Sequence, residues 1–301
     1  MSRIRVIRRV IVLLLFACTL SAIAASTDEN IVRVRFPIDE RYMVIVPVSI
    51  NGAGSFNFML DTGNTTTIID RKLADQLSLP FVGEKEVTGI EAKLHVSIAH
   101  SRSISIAGLA VRDLNVNVLS HPLTNVRGVL GEDFLSHFDL LIDNRHHTVD
   151  LQLGLGPMAD MFEGEHLPVS FEGDMDGEFI KHRLIVTGYS VELSNKAISL
   201  QLDSGANFLY LFGGVEILGV GATMQRFAAA TISSPSYQFV GYKKKVRQLR
   251  FGQKKLADLV AYTLPRTVGK DTDGLMPTSE FQSIFISHSQ KFVILDPSPK
   301  A

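Results

Sequence analysis

Two acids in this chain stand where chemistry could be done. Asp61 lies in Phe58-Met59-Leu60-Asp61-Thr62-Gly63-Asn64, and Asp203 in Leu202-Asp203-Ser204-Gly205-Ala206. Each ends an apolar run and is followed by a small hydroxyl residue and a glycine. A carboxylate at the end of a buried strand is costly unless it is paired, hydrogen-bonded or used. Thr62 and Ser204 can supply hydroxyl hydrogen bonds, and Gly63 and Gly205 permit a tight turn that keeps the space above each acid open. One such tripeptide marks an ordinary turn; two in the same setting point to a pair. Carboxylates held close together cannot both ionise cheaply, so they share one proton and titrate as a unit. The ionised member can take a proton from a water between them, while the protonated member donates to a carbonyl oxygen and later to a leaving amine. That chemistry hydrolyses an amide with neither metal nor covalent intermediate.

Short runs rich in Val, Ile, Leu, Thr and Ser must position these acids, and they read as strands rather than helices. Residues 31–36 alternate apolar and polar. Residues 43–50 form a second strand, turned at Asn51-Gly52 into the run that ends at Asp61. Residues 65–69 follow, then a short helix from Arg71 to Leu77 with Asp70 as its cap. A hairpin spans 82–99, strands follow at 103–106 and 114–119 around Gly108, and Gly128-Val129-Leu130-Gly131 precedes a short helix over 132–138. A hairpin across Asn144-Arg145-His146-His147 closes the half. After an aperiodic stretch, the plan repeats: strands at 184–189 and 197–202 lead to Asp203, a strand pair turns at Gly252, and Gly274-Leu275-Met276-Pro277 precedes a segment at 279–284 and a closing strand at 292–296. Asp61 precedes Gly128 by 67 positions and Asp203 precedes Gly274 by 71, a difference within ordinary loop variation. The expectation is an all-β chain of two similar barrel-like lobes, with few short helices, related by a pseudo-two-fold axis that sets Asp61 beside Asp203. The lobes are expected at 26–153 and 167–301, joined by a linker at 154–166.

Other chemistries find little support. The nine histidines lack His-Glu-x-x-His or similar spacing and read as solvent-facing or singly hydrogen-bonded. Ser204 lacks a Gly-x-Ser-x-Gly setting, and no phosphate loop is present. No cofactor and no metal is expected. Lys243-Lys244-Lys245 reads as a solvated strand rim, and the overall charge gives nucleic acid no purchase.

With these residues in view, the chain resembles the bacterial retropepsin-like and pepsin-like aspartic peptidases, with both lobes in one polypeptide. The first half carries Leu60-Asp61-Thr62-Gly63, Gly128-Val129-Leu130-Gly131 and Asp133-Phe134-Leu135. The second carries Leu202-Asp203-Ser204-Gly205-Ala206 but departs at Pro277, where the family has glycine after Leu275-Met276. The resemblance implies an endopeptidase using the Asp61/Asp203 dyad, with Val129, Leu130, Gly131, Leu275 and Met276 packed behind it. It implies a flap at about 87–96, with Thr88, Gly89 and Ile90 as candidate tip residues. Pepsin-like enzymes carry a tyrosine there and this segment has none, which favours the retropepsin-like side. A second hairpin near 233–242 holds Tyr237 and Tyr242. The implied substrate is a polypeptide bound in extended form, and the implied state is a monomer. One alternative is a catalytically weak or inactive peptide-binding protein of the cell envelope, motivated by Pro277; a second is a chain that dimerises through its better-matched first lobe, leaving the second as scaffold.

The first 25 residues read as a signal peptide: Arg3, Arg5, Arg8 and Arg9, then the apolar core from Val10 to Ala17, then Ala22-Ile23-Ala24. Cleavage near Ala24 is one fate; lipidation at Cys18 is another, because Leu15-Phe16-Ala17-Cys18 resembles a lipoprotein box, and an uncleaved anchor is the minor alternative. Either way the expected location is the periplasm or cell envelope. Cleavage near Ala24 removes the only cysteine and lowers the 30 basic residues to 26 against 31 acidic ones, a net charge of about −5.

Overall fold

The computed structural model describes residues 31–300, apart from 38–42, 89–92, 121–124, 172–173, 177–178, 182, 194–196, 214–228, 234–237 and 265–271. The leader, Cys18, Gly89, Ile90 and Tyr237 therefore lie outside the described residues. Among those described, no helix is long and apolar enough to cross a membrane.

The first half contains β1 (Ile31–Arg35), β2 (Ile45–Ile50), β3 (Ala53–Leu60), β4 (Ile68–Asp70), helix α1 (Arg71–Gln76), β5 (Phe81–Thr88), β6 (Lys93–Ile106), β7 (Leu109–Leu119), β8 (Gly128–Leu130), helix α2 (Glu132–Leu135), β9 (Phe138–Asp143) and β10 (Thr148–Leu153). Six of these strands close into a barrel in the order β2-β3-β8-β4-β7-β6, sealed by pairing of β6 back onto β2, with β5 added as the hairpin partner of β6. Local chemistry sets the turns. Asn51 and Gly52 both adopt positive φ, as the tight hairpin between right-twisted strands requires. Asp70 caps α1 by accepting from the Leu73 N–H at 2.7 Å.

One difference from the expected strands is instructive. The hairpin arm ending at residue 99 and the strand at 103–106 are one continuous strand, β6. His100-Ser101-Arg102 reads as a polar break, yet Ser101 is fully buried, its hydroxyl donating to Asn51 Oδ1 and the Ser103 carbonyl. The polar residues satisfy a buried corner of the barrel instead of ending the strand.

The connecting segment runs through a 3₁₀ turn (Pro157–Met161) into β11 (Phe162–Glu163), β12 (Leu167–Pro168), β13 (Ser170–Phe171), β14 (Asp174–Asp176) and β15 (Phe179–Lys181). The second barrel follows with β16 (Leu184–Tyr189), β17 (Ala197–Asp203), β18 (Leu209–Phe212), β19 (Ala229–Ser233), β20 (Gln238–Phe251), β21 (Lys254–Leu264) and β22 (Gly274–Pro277). A 3₁₀ turn (Thr278–Glu280), β23 (Ser283–Ser287), β24 (Phe292–Leu295) and β25 (Ser298–Pro299) end the chain. This barrel runs β16-β17-β22-β18-β21-β20 and closes by pairing β20 onto β16, with β19 attached to β20. The order matches the first lobe strand for strand, so the β19–β20 hairpin is the counterpart of the β5–β6 hairpin.

A third sheet joins the lobes. Its order is β1-β10-β9-β23-β24-β12, three strands from each half meeting where β9 pairs antiparallel with β23. One face joins a hydrophobic core continuous through both barrels. The other is covered by the connecting segment, whose Met158 and Ala159 pack with Leu141, Phe285, Phe292 and Ile294. Burying such side chains contributes roughly 1.5–3 kcal/mol each for the larger ones.

Candidate active site

In each lobe the acid ends the strand that enters the barrel centre. β3 runs parallel to β8, pairing Leu60 with Leu130, and Asp61 extends that ladder by donating its N–H to the Leu130 carbonyl at 3.0 Å. β17 runs parallel to β22, pairing Leu202 with Met276 and Asp203 with Pro277. Leu130 and Met276 are fully buried behind the acids, whereas Val129 and Leu275 stand on the opposite face of their strands.

The lobes then grip each other. Thr62 Oγ1 donates to the Leu202 carbonyl at 3.0 Å and accepts from the Ser204 N–H at 3.1 Å. Ser204 Oγ donates to the Leu60 carbonyl at 2.7 Å and accepts from the Thr62 N–H at 3.1 Å. All four bonds are buried and reciprocal, so each turn's hydroxyl satisfies the backbone of the other lobe. Inside each turn a backbone N–H holds the carboxylate, Gly63 to Asp61 Oδ1 at 2.9 Å and Gly205 to Asp203 Oδ1 at 2.8 Å. The glycines are required for space rather than for φ: a methyl group on Gly63 would overlap the Asp203 carboxyl, and one on Gly205 would lie 2.7 Å from Asp61 Cγ.

Asp61 and Asp203 consequently touch through a side-chain hydrogen bond. Burial pushes the Asp61 carboxyl well above the usual carboxylate range, and the charge and hydrogen bond of Asp203 add to it; the Gly63 and Asn64 N–H groups pull the other way without prevailing. Two carboxyl groups so placed cannot both ionise cheaply. Gln201, buried in lobe two and not singled out from its sequence, donates Nε2 to the Gly63 carbonyl at 2.9 Å and braces the first turn from the second lobe. Thr88 lies at the end of β5, paired with Lys93 across the β5–β6 hairpin. Tyr242 lies in β20, beside Ala229 and Thr263. Among the described residues no cluster of three or more His, Cys, Asp or Glu side chains could hold a metal ion.

Residues 46–137, from β2 through α2, match the family model described as gag-polyprotein putative aspartyl protease. That stretch, about a third of the chain, is similar to the aspartyl proteases that the model describes. No curated protein sequence matches the chain. Among solved structures it is similar to a retropepsin-like aspartic protease from Rickettsia conorii, at 18% identity and a TM-score of 0.32, over 41% of this chain and 90% of that one.

Behind its aspartate the first lobe holds a polar clasp that sequence reading missed in part. Asp133 Oδ1 accepts from both the N–H and the hydroxyl of Thr67, at 2.8 and 2.6 Å, and Thr67 Oγ1 accepts from the Gly131 N–H at 3.2 Å. Burial pushes the Asp133 carboxyl up to about 6, against the pull of the Thr67 bonds. A Cβ on Gly131 would meet the Thr66 backbone at 2.6 Å. The matching positions of lobe two are Leu209, Pro277 and Ser279, so the departure at Pro277 belongs to a concerted replacement. With Leu209 present there is no hydroxyl awaiting the N–H that proline lacks, and no buried acceptor is left unpaired by it.

His288 corrects the reading of every histidine as exposed or singly bonded. It is buried, with Nε2 2.9 Å from Glu132 Oε2 and Nδ1 2.7 Å from the Phe138 carbonyl. Burial alone would discharge the ring, but the charge and hydrogen bond of Glu132, the carbonyl and nearby Asp139 outweigh it and raise the pKa above its ordinary value. His288 thus ties the β23–β24 turn of lobe two to α2 of lobe one. The reverse tie is Asn144, in the β9–β10 turn of lobe one, whose Nδ2 donates to the Thr278 and Phe281 carbonyls at 2.9 and 3.0 Å. Neither tie leaves a linear signal, because the partners lie more than 130 positions apart.

Proposed function

We propose that this protein is an aspartic endopeptidase that cleaves peptide bonds with a water activated between Asp61 and Asp203. The observation that carries the reading is the reciprocal Thr62–Ser204 clasp, which presses the two carboxyls into one hydrogen-bonded pair. In the ground state one carboxyl is ionised and removes a proton from the attacking water. The other is protonated and donates to the substrate carbonyl oxygen, giving a tetrahedral gem-diol. Collapse returns a proton to the leaving amine and restores the shared proton. Thr62 and Ser204 hold the geometry, and Gly63 and Gly205 keep each turn thin enough for the other acid to approach.

The peptide-binding alternative drew on Pro277. That proline is accommodated together with Leu209 and Ser279, and the carboxyl pair is complete in front of it, so hydrolysis is the better supported reading. The test is digestion of denatured protein by the mature chain across acidic to neutral pH. Asp61→Asn and Asp203→Asn should each lose on the order of 10³-fold in rate. Equal cleavage by wild type and either variant would sink the mechanism. Export to the envelope forms part of the same proposal. N-terminal sequencing of the protein from cells should read from near Ser26, or fatty-acid labelling should require Cys18.

A further inference from the structure

Among the described residues, three exposed large apolar side chains fall within nine positions: Leu153 at 45% exposure, Leu155 at 77% and Met161 at 49%. They belong to the stretch that leaves β10 and turns across the interlobe sheet. A leucine exposed singly is ordinary, but a group of apolar side chains at one place marks a contact surface. The loop that carries them is firmly built. Gly154 has a positive φ and donates its N–H to the His137 carbonyl at 2.9 Å. Gln152 is buried, and its Oε1 accepts from the Met158 N–H at 2.8 Å. A methyl group on Gly156 would overlap the Gln152 amide. Leu155 is thus held out into solvent between two glycines whose neighbours are fixed.

The leader joins the folded part at the same place. Ile31 lies opposite Gln152 in the β1–β10 ladder and packs on the cluster that holds Met158 and Ala159. Upstream, the sequence carries the apolar run 10–17 and then Cys18, which stands 13 positions before Ile31 (31 − 18). That length reaches at most ~45 Å. A chain anchored there keeps the exposed leucines close to the lipid surface, where high effective concentration makes even a weak contact count. The turn covers the sheet face that looks away from the barrels, so contact on that side leaves the Asp61/Asp203 pair uncovered.

We propose that Leu153, Leu155 and Met161 form a lipid-contacting surface that lays the protein on the membrane to which its leader brings it. The charges close by are mainly acidic: Asp160, Glu163 and Glu165 are exposed, against Lys300, whose N–H is bonded to the Met161 carbonyl. The contact is therefore apolar insertion between headgroups, without attraction to anionic lipid. The inference rests on the envelope reading and is independent of peptidase activity.

The chain has no tryptophan, so Leu155→Trp installs a single fluorescent reporter. Adding phosphatidylcholine vesicles to this variant of the mature chain should shift its emission to the blue and open it to quenching by bromine-labelled acyl chains. Val191→Trp, at a position 67% exposed in the β16–β17 connection, should not respond. Adding Leu153→Ser and Met161→Ser to the reporter should weaken vesicle partition by roughly 10-fold, with the far-ultraviolet spectrum unchanged. Replacing part of the lipid with phosphatidylglycerol should not strengthen it. No shift with vesicles, or a shift that requires phosphatidylglycerol, would overturn the proposal. A shift that grows with protein concentration in the absence of vesicles would assign the surface to a second copy and overturn it equally. N-terminal sequencing and fatty-acid labelling test the envelope reading separately. A vesicle response without either export signature keeps the lipid surface and removes that reading, whereas export without a vesicle response removes the lipid surface alone.

Discussion

Behind equivalent aspartates the two lobes are built differently. Lobe one backs Asp61 with a buried polar clasp, Thr67, Asp133 and the Gly131 N–H, while lobe two backs Asp203 with Leu209, Met276 and Pro277. In front, where the lobes meet, they are nearly identical, down to paired hydroxyl bonds of 3.0 and 2.7 Å to the carbonyls and 3.1 Å from both N–H groups. The shared front has to match because each half completes the other's hydrogen bonds. The rear faces only its own barrel, so any self-consistent packing serves, polar or apolar.

The largest effect should come from the front. Gly63→Ala drives a methyl group into the Asp203 carboxyl, and peptidase activity should fall by about 10³-fold or more while the far-ultraviolet spectrum stays native. Gly205→Ala, with slightly more room, should do the same less completely. Next, Thr62→Val strands the Ser204 N–H and the Leu202 carbonyl, and Ser204→Ala strands the Thr62 N–H and the Leu60 carbonyl. Each should cost about 2–4 kcal/mol in urea unfolding. Markedly unequal costs would show that the grip is not reciprocal in energy.

The rear should lose stability from opposite causes. Thr67→Leu in lobe one removes a donor: it leaves the Gly131 N–H unpaired and Asp133 with only the residue-67 N–H, and should cost about 3 kcal/mol. Pro277→Gly in lobe two adds one: a buried N–H with no hydroxyl at 209 to meet, in a chain freer when unfolded, which should cost about 1–3 kcal/mol. No loss at Pro277 would mean that the new N–H finds another acceptor.

The smallest effect separates the two ties. His288 has a folded pKa raised above its ordinary 6.5. Its contribution is therefore complete below about pH 6.5 and is lost as pH rises through the folded value. Urea midpoints measured from about pH 5 to about pH 9 should decline across that window, and His288→Gln should flatten the decline. Asn144→Ala should lower the midpoint equally at every pH.

The parts legible in the sequence were the local ones. Asp-Thr-Gly and Asp-Ser-Gly, the Asn51-Gly52 turn and the Asp70 cap all act within a few residues, so their chemistry is written beside them. Strand alternation was readable over much of both barrels, but not at His100-Ser101-Arg102, where a polar run serves a buried corner, nor at β11–β15 and β18, whose two to four residues are too few to show a period. Pro277 was visible as a departure, but its partners Leu209 and Ser279 were not, because only folding places residue 209 against residue 277. His288 was misread for the same reason. A histidine without a metal motif looks idle until a glutamate 156 positions away is brought to its ring.

The meeting of β9 with β23 means that neither half has a finished surface of its own. Separated at the connection, residues 31–153 would leave Phe138–Asp143 as an open, apolar border with its backbone groups unanswered. Two such fragments could answer one another border to border, and in doing so would set one Asp61 against a second. The half-molecule is thus expected to behave as an obligate twin, soluble only in company.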